Sequence, residues 1–150
     1  MKQVILLATL LFATLSNKAE NADPLQSILA QYLVLKDALV DSDPTAASAQ
    51  AKLLLKSLAD PKWESLKKDT KTIADSKDII KQREAFASLS DKLYTLVKAG
   101  KPGTTIYYQF CPMYNSGKGG YWLSKDSEIR NPFYGDMMLN CGSTKETIQQ

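Results

Sequence analysis

Three Asp-Pro pairs, Asp23-Pro24, Asp43-Pro44 and Asp60-Pro61, punctuate the first half of the chain. An Asp carboxylate accepts hydrogen bonds from the free amides of a helix start, and proline suits the first helical position. Each pair therefore predicts a helix start. In the first helix, to about Val40, Ile28, Tyr32, Leu35 and Leu39 recur at steps of three and four and share a face. The second, Thr45 to about Leu58, repeats the spacing with Ala47, Ala51, Leu54 and Leu58. The third, Lys62 to Ala74, carries Trp63, Leu66 and Ile73, with Thr70 between. Ser76 reads as the N-cap of a fourth and longest helix, Lys77 to about Lys98, with Ile79, Phe86, Leu89, Leu93, Leu96 and Val97 as its stripe. "AGKPG", Ala99 to Gly103, stops it. Short links between helices favour antiparallel neighbours. The expected fold is mainly α, an antiparallel bundle of about four helices, and the apolar stripes are its core.

After Gly103 the helical period vanishes. Thr104, Thr105, Ile106, Tyr107 and Tyr108 are β-formers, while Gly117, Gly119, Gly120, Pro132 and Gly135 mark turns. Five of the seven tyrosines lie from Tyr107 onward, so this is where aromatic packing concentrates. A small aromatic, turn-rich segment with one or two short strands is expected to pack on the bundle.

The opening "MKQVILLATLLFATLSNKAENA" has an early cation, Lys2, an apolar run from Val4 to Leu15 and then a polar stretch. That is the order of a secretory signal. The run is shorter than the ~20 residues that span a bilayer. Residues 1–22 are therefore expected to be a signal peptide, cleaved near 19–22. The rest, 23–150, reads as one domain: a bundle over 23–99 and a Cys/Met segment over 104–142. The expected location is periplasmic or secreted, with no membrane span after cleavage. Removing Lys2 and Lys18 leaves 17 Lys and Arg against 16 Asp and Glu if Glu20 is kept. The charge is then near +1, and no basic patch argues for nucleic acid.

The chain has no histidine. This removes the commonest general base and the commonest metal ligand, and with them triad hydrolases and His-ligated zinc enzymes. No spaced carboxylate and nucleophile set replaces them, so an enzyme is not expected. Both cysteines and three of the four methionines fall between Phe110 and Gly142. Thiolates and thioethers are soft donors that select Cu(I) among biological metals. Cys111 and Met113 share a face of an extended segment, and one helical turn would join Met138 and Cys141. These four are the candidate ligands, with Met137 a spare, and Tyr121 and Trp122 are candidate walls of the site. The rival reading is a Cys111–Cys141 disulfide, common in exported proteins. Closing a loop of about 30 residues would contribute roughly 3–4 kcal/mol. Spacing leaves both readings open. Lys118-Gly119-Gly120 lacks the spacing of a phosphate loop. Asp126, Glu128 and Asp136 read as solvated, with Arg130 a partner for one of them. Asn131-Pro132-Phe133-Tyr134-Gly135 reads as a rigid structural turn.

"YYQFCPM", "GYWLS", "EIRNPFYG" and "MLNCG", with the helical "YLVLKDALVDSD" and "AFASLSDKLYTLVK", resemble the DUF3347 family. The resemblance implies an exported bacterial domain, which also occurs appended to periplasmic adaptor subunits of heavy-metal RND efflux pumps. It implies a helical bundle and a cysteine–methionine motif at Cys111, Met113, Met138 and Cys141, and it demotes Met137. It shifts the balance toward a Cu(I) or Ag(I) site, and toward an efflux adaptor as partner. The alternative is a disulfide-stapled interaction module with no metal.

Overall fold

The computed structural model describes residues 23–149, and the expected signal peptide lies outside them. Four helices form the bundle: α1 (Pro24–Val40), α2 (Pro44–Ser57), α3 (Glu64–Asp75) and α4 (Ile79–Ala99). The Asp-Pro pairs act as their chemistry dictates. Asp23 accepts from the Leu25 amide, and Asp43 from those of Thr45 and Ala46. Asp60 accepts from the Lys62 amide, but Pro61–Trp63 is a 3-10 turn and α3 proper begins at Glu64.

The start of α4 corrects the sequence reading. Its N-cap is Asp78, whose carboxylate accepts from Ile80 and Lys81. Ser76 is extended instead, and its hydroxyl oxygen accepts from the Asp78 amide. The two residues divide the turn, one shaping the approach and the other starting the helix. Gly100 ends α4, its amide donating to Leu96.

Consecutive helices pack side by side, and α4 also packs against the sheet. Gln82, fully buried on α4, fastens three helix ends. Its amide group donates to the carbonyls of Pro44, Ile73 and Ser76.

Beyond the bundle, β1 (Ile106–Cys111), β2 (Gly120–Ser124) and β3 (Ser143–Ile148) form an antiparallel sheet ordered β2-β1-β3. One or two strands were expected; β3 is the addition. Its "STKETI" buries only Ile148, so it lacks the alternation that marks a half-buried strand. Backbone pairing with β1 makes it a strand.

Tyr32 of α1 joins bundle to sheet. Its ring stacks on Phe86, with centroids 5.1 Å apart. The Ser90 hydroxyl donates to the Phe86 carbonyl at 2.7 Å, so its oxygen accepts from Tyr32. The Tyr32 oxygen in turn accepts from the Leu123 amide at 3.1 Å. Leu123 is on β2, an edge strand, where an amide buried without a partner would be costly. Burial pushes the Tyr32 phenol far above its ordinary range, so the hydroxyl stays a donor.

Candidate metal centre

Antiparallel pairing of β1 with β3 places Phe110 opposite Ser143, so the residues just beyond this pair meet at one end of the sheet. There the sulfurs of Cys111 and Cys141 lie 3.6 Å apart, both as free thiols. Cys111 is buried and Cys141 half-buried. The thiol–thiol hydrogen bond, with some burial and the Cys111 charge, pushes the Cys141 thiol up; the Met113 amide on its sulfur opposes this.

The loop before β3 is held by Asn131, which is fully buried. Its side-chain amide donates to the Cys141 carbonyl at 2.9 Å, and its side-chain oxygen accepts from the Phe133 amide at 2.8 Å. Its backbone amide donates to Leu139. The turn read as structural therefore positions one of the two thiols. The Asn-Pro start of that turn was visible in the sequence, but its reach to Cys141 was not.

The methionines are close to the two cysteines along the chain. Met113 follows Cys111 by two residues and is 55% exposed; its carbonyl accepts from the Tyr134 hydroxyl. Met138 is half-buried at the end of a 3-10 turn, Gly135–Met138, and its carbonyl accepts from the Cys141 amide at 3.0 Å. Met137 points outward, 77% exposed.

The two candidate wall residues part company. Trp122 lies opposite Gln109, so it shares the face of Cys111; it is fully buried and edge-on to Phe133. Its indole N–H has no hydrogen-bond partner among the described residues. Tyr121 does not face the thiols. Period-two alternation turns it to the opposite face, where its ring packs on Phe110 at 4.5 Å and Tyr108 at 4.7 Å. Tyr94 of α4 continues that stack at 3.9 Å.

Arg130 pairs with Asp41 of the α1–α2 turn, at 3.6 Å, not with the acids beside it. Lys118-Gly119-Gly120 belongs to the β1–β2 connection. Gly119 has φ +83°, and a Cβ there would strike the Phe110 ring. Among the described residues no three Cys, Asp or Glu side chains gather as a metal-ligand cluster.

Two thiolates on one tetrahedral ion, each ~2.3 Å from it, stand ~3.8 Å apart. The observed 3.6 Å fits that spacing with little movement. Met113 and Met138, close to the cysteines in sequence, are thioethers that could serve as further donors to a soft ion.

The fold is thus a helical bundle carrying a three-stranded sheet, with a paired-thiol corner where β1 meets the start of β3. The model of a family described as "Protein of unknown function (DUF3347)" matches residues 28–105, just over half the chain, and the chain belongs to that family. The matched span covers most of the bundle and stops just before β1; the thiol corner lies beyond it. No curated protein and no solved structure matches the chain.

Proposed function

We propose that this domain binds Cu(I) or Ag(I) as cargo, as a chaperone or buffer serving heavy-metal efflux in the bacterial envelope. The observation that carries the reading is the 3.6 Å separation of two free thiols at the surface end of the sheet. Cys111 and Cys141 supply thiolates, Met113 and Met138 thioethers. Binding releases the thiol protons, so affinity falls as pH falls. Trp122 lends the cysteine face an apolar floor. The envelope location and the adaptor partner rest on the N-terminal signal pattern and the family association, not on the geometry.

The test is titration of fully reduced protein with Cu(I) against a chromophoric chelator. One equivalent should transfer to the protein, and Cys111→Ser should weaken binding at least a hundredfold. Met113→Leu and Met138→Leu should each cost about tenfold. If the chelator keeps all the copper, the reading fails, and the disulfide-stapled module becomes the better account. Mass spectrometry after thiol alkylation of protein isolated from the envelope decides that alternative, which requires both cysteines blocked.

A further inference from the structure

Away from the thiols, a cavity of about 630 Å³ opens between α4 and the 114–137 segment. That is within the range of small-molecule sites, about 300–1,000 Å³. Its walls include Ala87, Tyr114, Phe133 and Tyr134, with the exposed Ile80 and Met137 at the rim. Arg83, only 7% exposed, is also among its lining residues. Buried cations are normally paired with an acid. Arg83 has no carboxylate partner among the described residues. Its Nε donates to the Pro132 carbonyl at 2.8 Å, and its Nη2 to the Leu39 carbonyl at 3.0 Å and the Ser42 hydroxyl at 2.9 Å. These acceptors are neutral and fix the guanidinium in place. Among the described residues these hydrogen bonds use Nε and Nη2 and leave Nη1 free, and Arg83 lines the cavity.

We infer that this cavity is a binding site for a small monoanionic carboxylate with an aromatic or apolar body. Arg83 Nη1 donates to the carboxylate, and the rings of Tyr114, Phe133 and Tyr134 enclose the body. A charge-assisted hydrogen bond is strong where water is excluded and its donor is already held. Glu84 lines the same cavity. Its negative charge opposes any anion and opposes a dianion more strongly than a monoanion, which favours a monocarboxylate over a phosphate dianion. The Tyr114 phenol is pushed up to about 12, by burial first and then by the Glu84 charge, so it stays a neutral donor at the wall. The site uses neither cysteine.

The experiment is a two-dimensional amide NMR titration of the metal-free domain with phenylacetate and, in parallel, with neutral phenylacetamide. The expected result is saturable shifts centred on Ala87, Tyr114 and Tyr134, with phenylacetamide at least tenfold weaker. Ala87→Trp, which fills the cavity from its helical wall, should abolish the shifts. Absence of saturable shifts, or equal binding of the amide, overturns the inference without any variant. Shifts that survive in a folded Ala87→Trp protein overturn it as well.

Discussion

Asn131 is the residue on which the thiol corner hangs. One side chain satisfies the Cys141 carbonyl and the Phe133 amide in a fully buried position. Asn131→Ala leaves both groups without their partner, which costs about 1–3 kcal/mol when such groups are buried. Chemical denaturation should show that loss, and Cys141 should react faster with a thiol reagent in the native protein. Unchanged labelling would mean that the loop is held by its other contacts. Gly135 shows the same closeness of packing. At φ +56° it passes over the α1–α2 turn, where a Cβ would meet the Val40 carbonyl at 2.7 Å and crowd Ser42 and Arg83. Glycine supplies both the left-handed backbone and the missing atom.

At the scale of elements, β3 is attached to the bundle by a polar clasp. The Tyr94 hydroxyl donates to Glu146 at 2.6 Å, and Lys98 pairs with the same carboxylate at 3.1 Å. The Tyr94 hydrogen bond, then Lys98, hold the Glu146 carboxyl below its usual range. A depressed acid stabilises the fold above its unfolded pKa, about 4.3 for glutamate, and loses that contribution as pH falls through the folded value. Glu146→Gln should therefore be less stable than the parent at neutral pH, and the gap should close on acidification below about pH 4. Thermal melts of the two proteins across pH 3–7 would check it. A constant gap would assign the effect to packing. The helices needed no such clasp to be legible. Their Asp caps and three-four spacing are local signals, and they predicted α1 and α2 to within about a residue or two. Ser76 and Asp78 compete for one helix start, and local chemistry does not rank them. β3 has no apolar alternation, so only its partner strand reveals it.

At the scale of the molecule, the helices and the sheet share one apolar core. Tyr32 and Phe86 of the bundle, Ile106 and Trp122 of the sheet, and Phe133 of the loop belong to a single buried cluster. Neither part has a second core to fall back on, so unfolding should be one cooperative event. Helical circular dichroism and aromatic near-ultraviolet signals should then melt along superimposed curves. An earlier aromatic transition would show that the sheet and the thiol corner open as a separate unit. The two proposed sites lie on this C-terminal layer, where irregular backbone is braced by the bundle: the thiol pair through Asn131, the cavity through Arg83.

By itself, the sequence determined the local and the compositional. It placed the starts of α1 and α2, the apolar stripes, the change of texture after Gly103, and a donor chemistry of sulfur without imidazole. These follow from interactions between residues a few positions apart, or from which atoms are present at all. Only the tertiary structure decided which of them meet. Cys111 and Cys141 are 30 positions apart and came together because β1 and β3 pair in one register. Trp122 shares their face and Tyr121 does not, because side chains alternate along a strand. Nothing in the sequence sets Arg83 apart from the other charges of its helix. Its burial without an acidic partner among the described residues depends on how the Pro132 turn and the Ser42 turn close over it. Such contacts join residues more than 40 positions apart, and spacing along the chain carries no record of them.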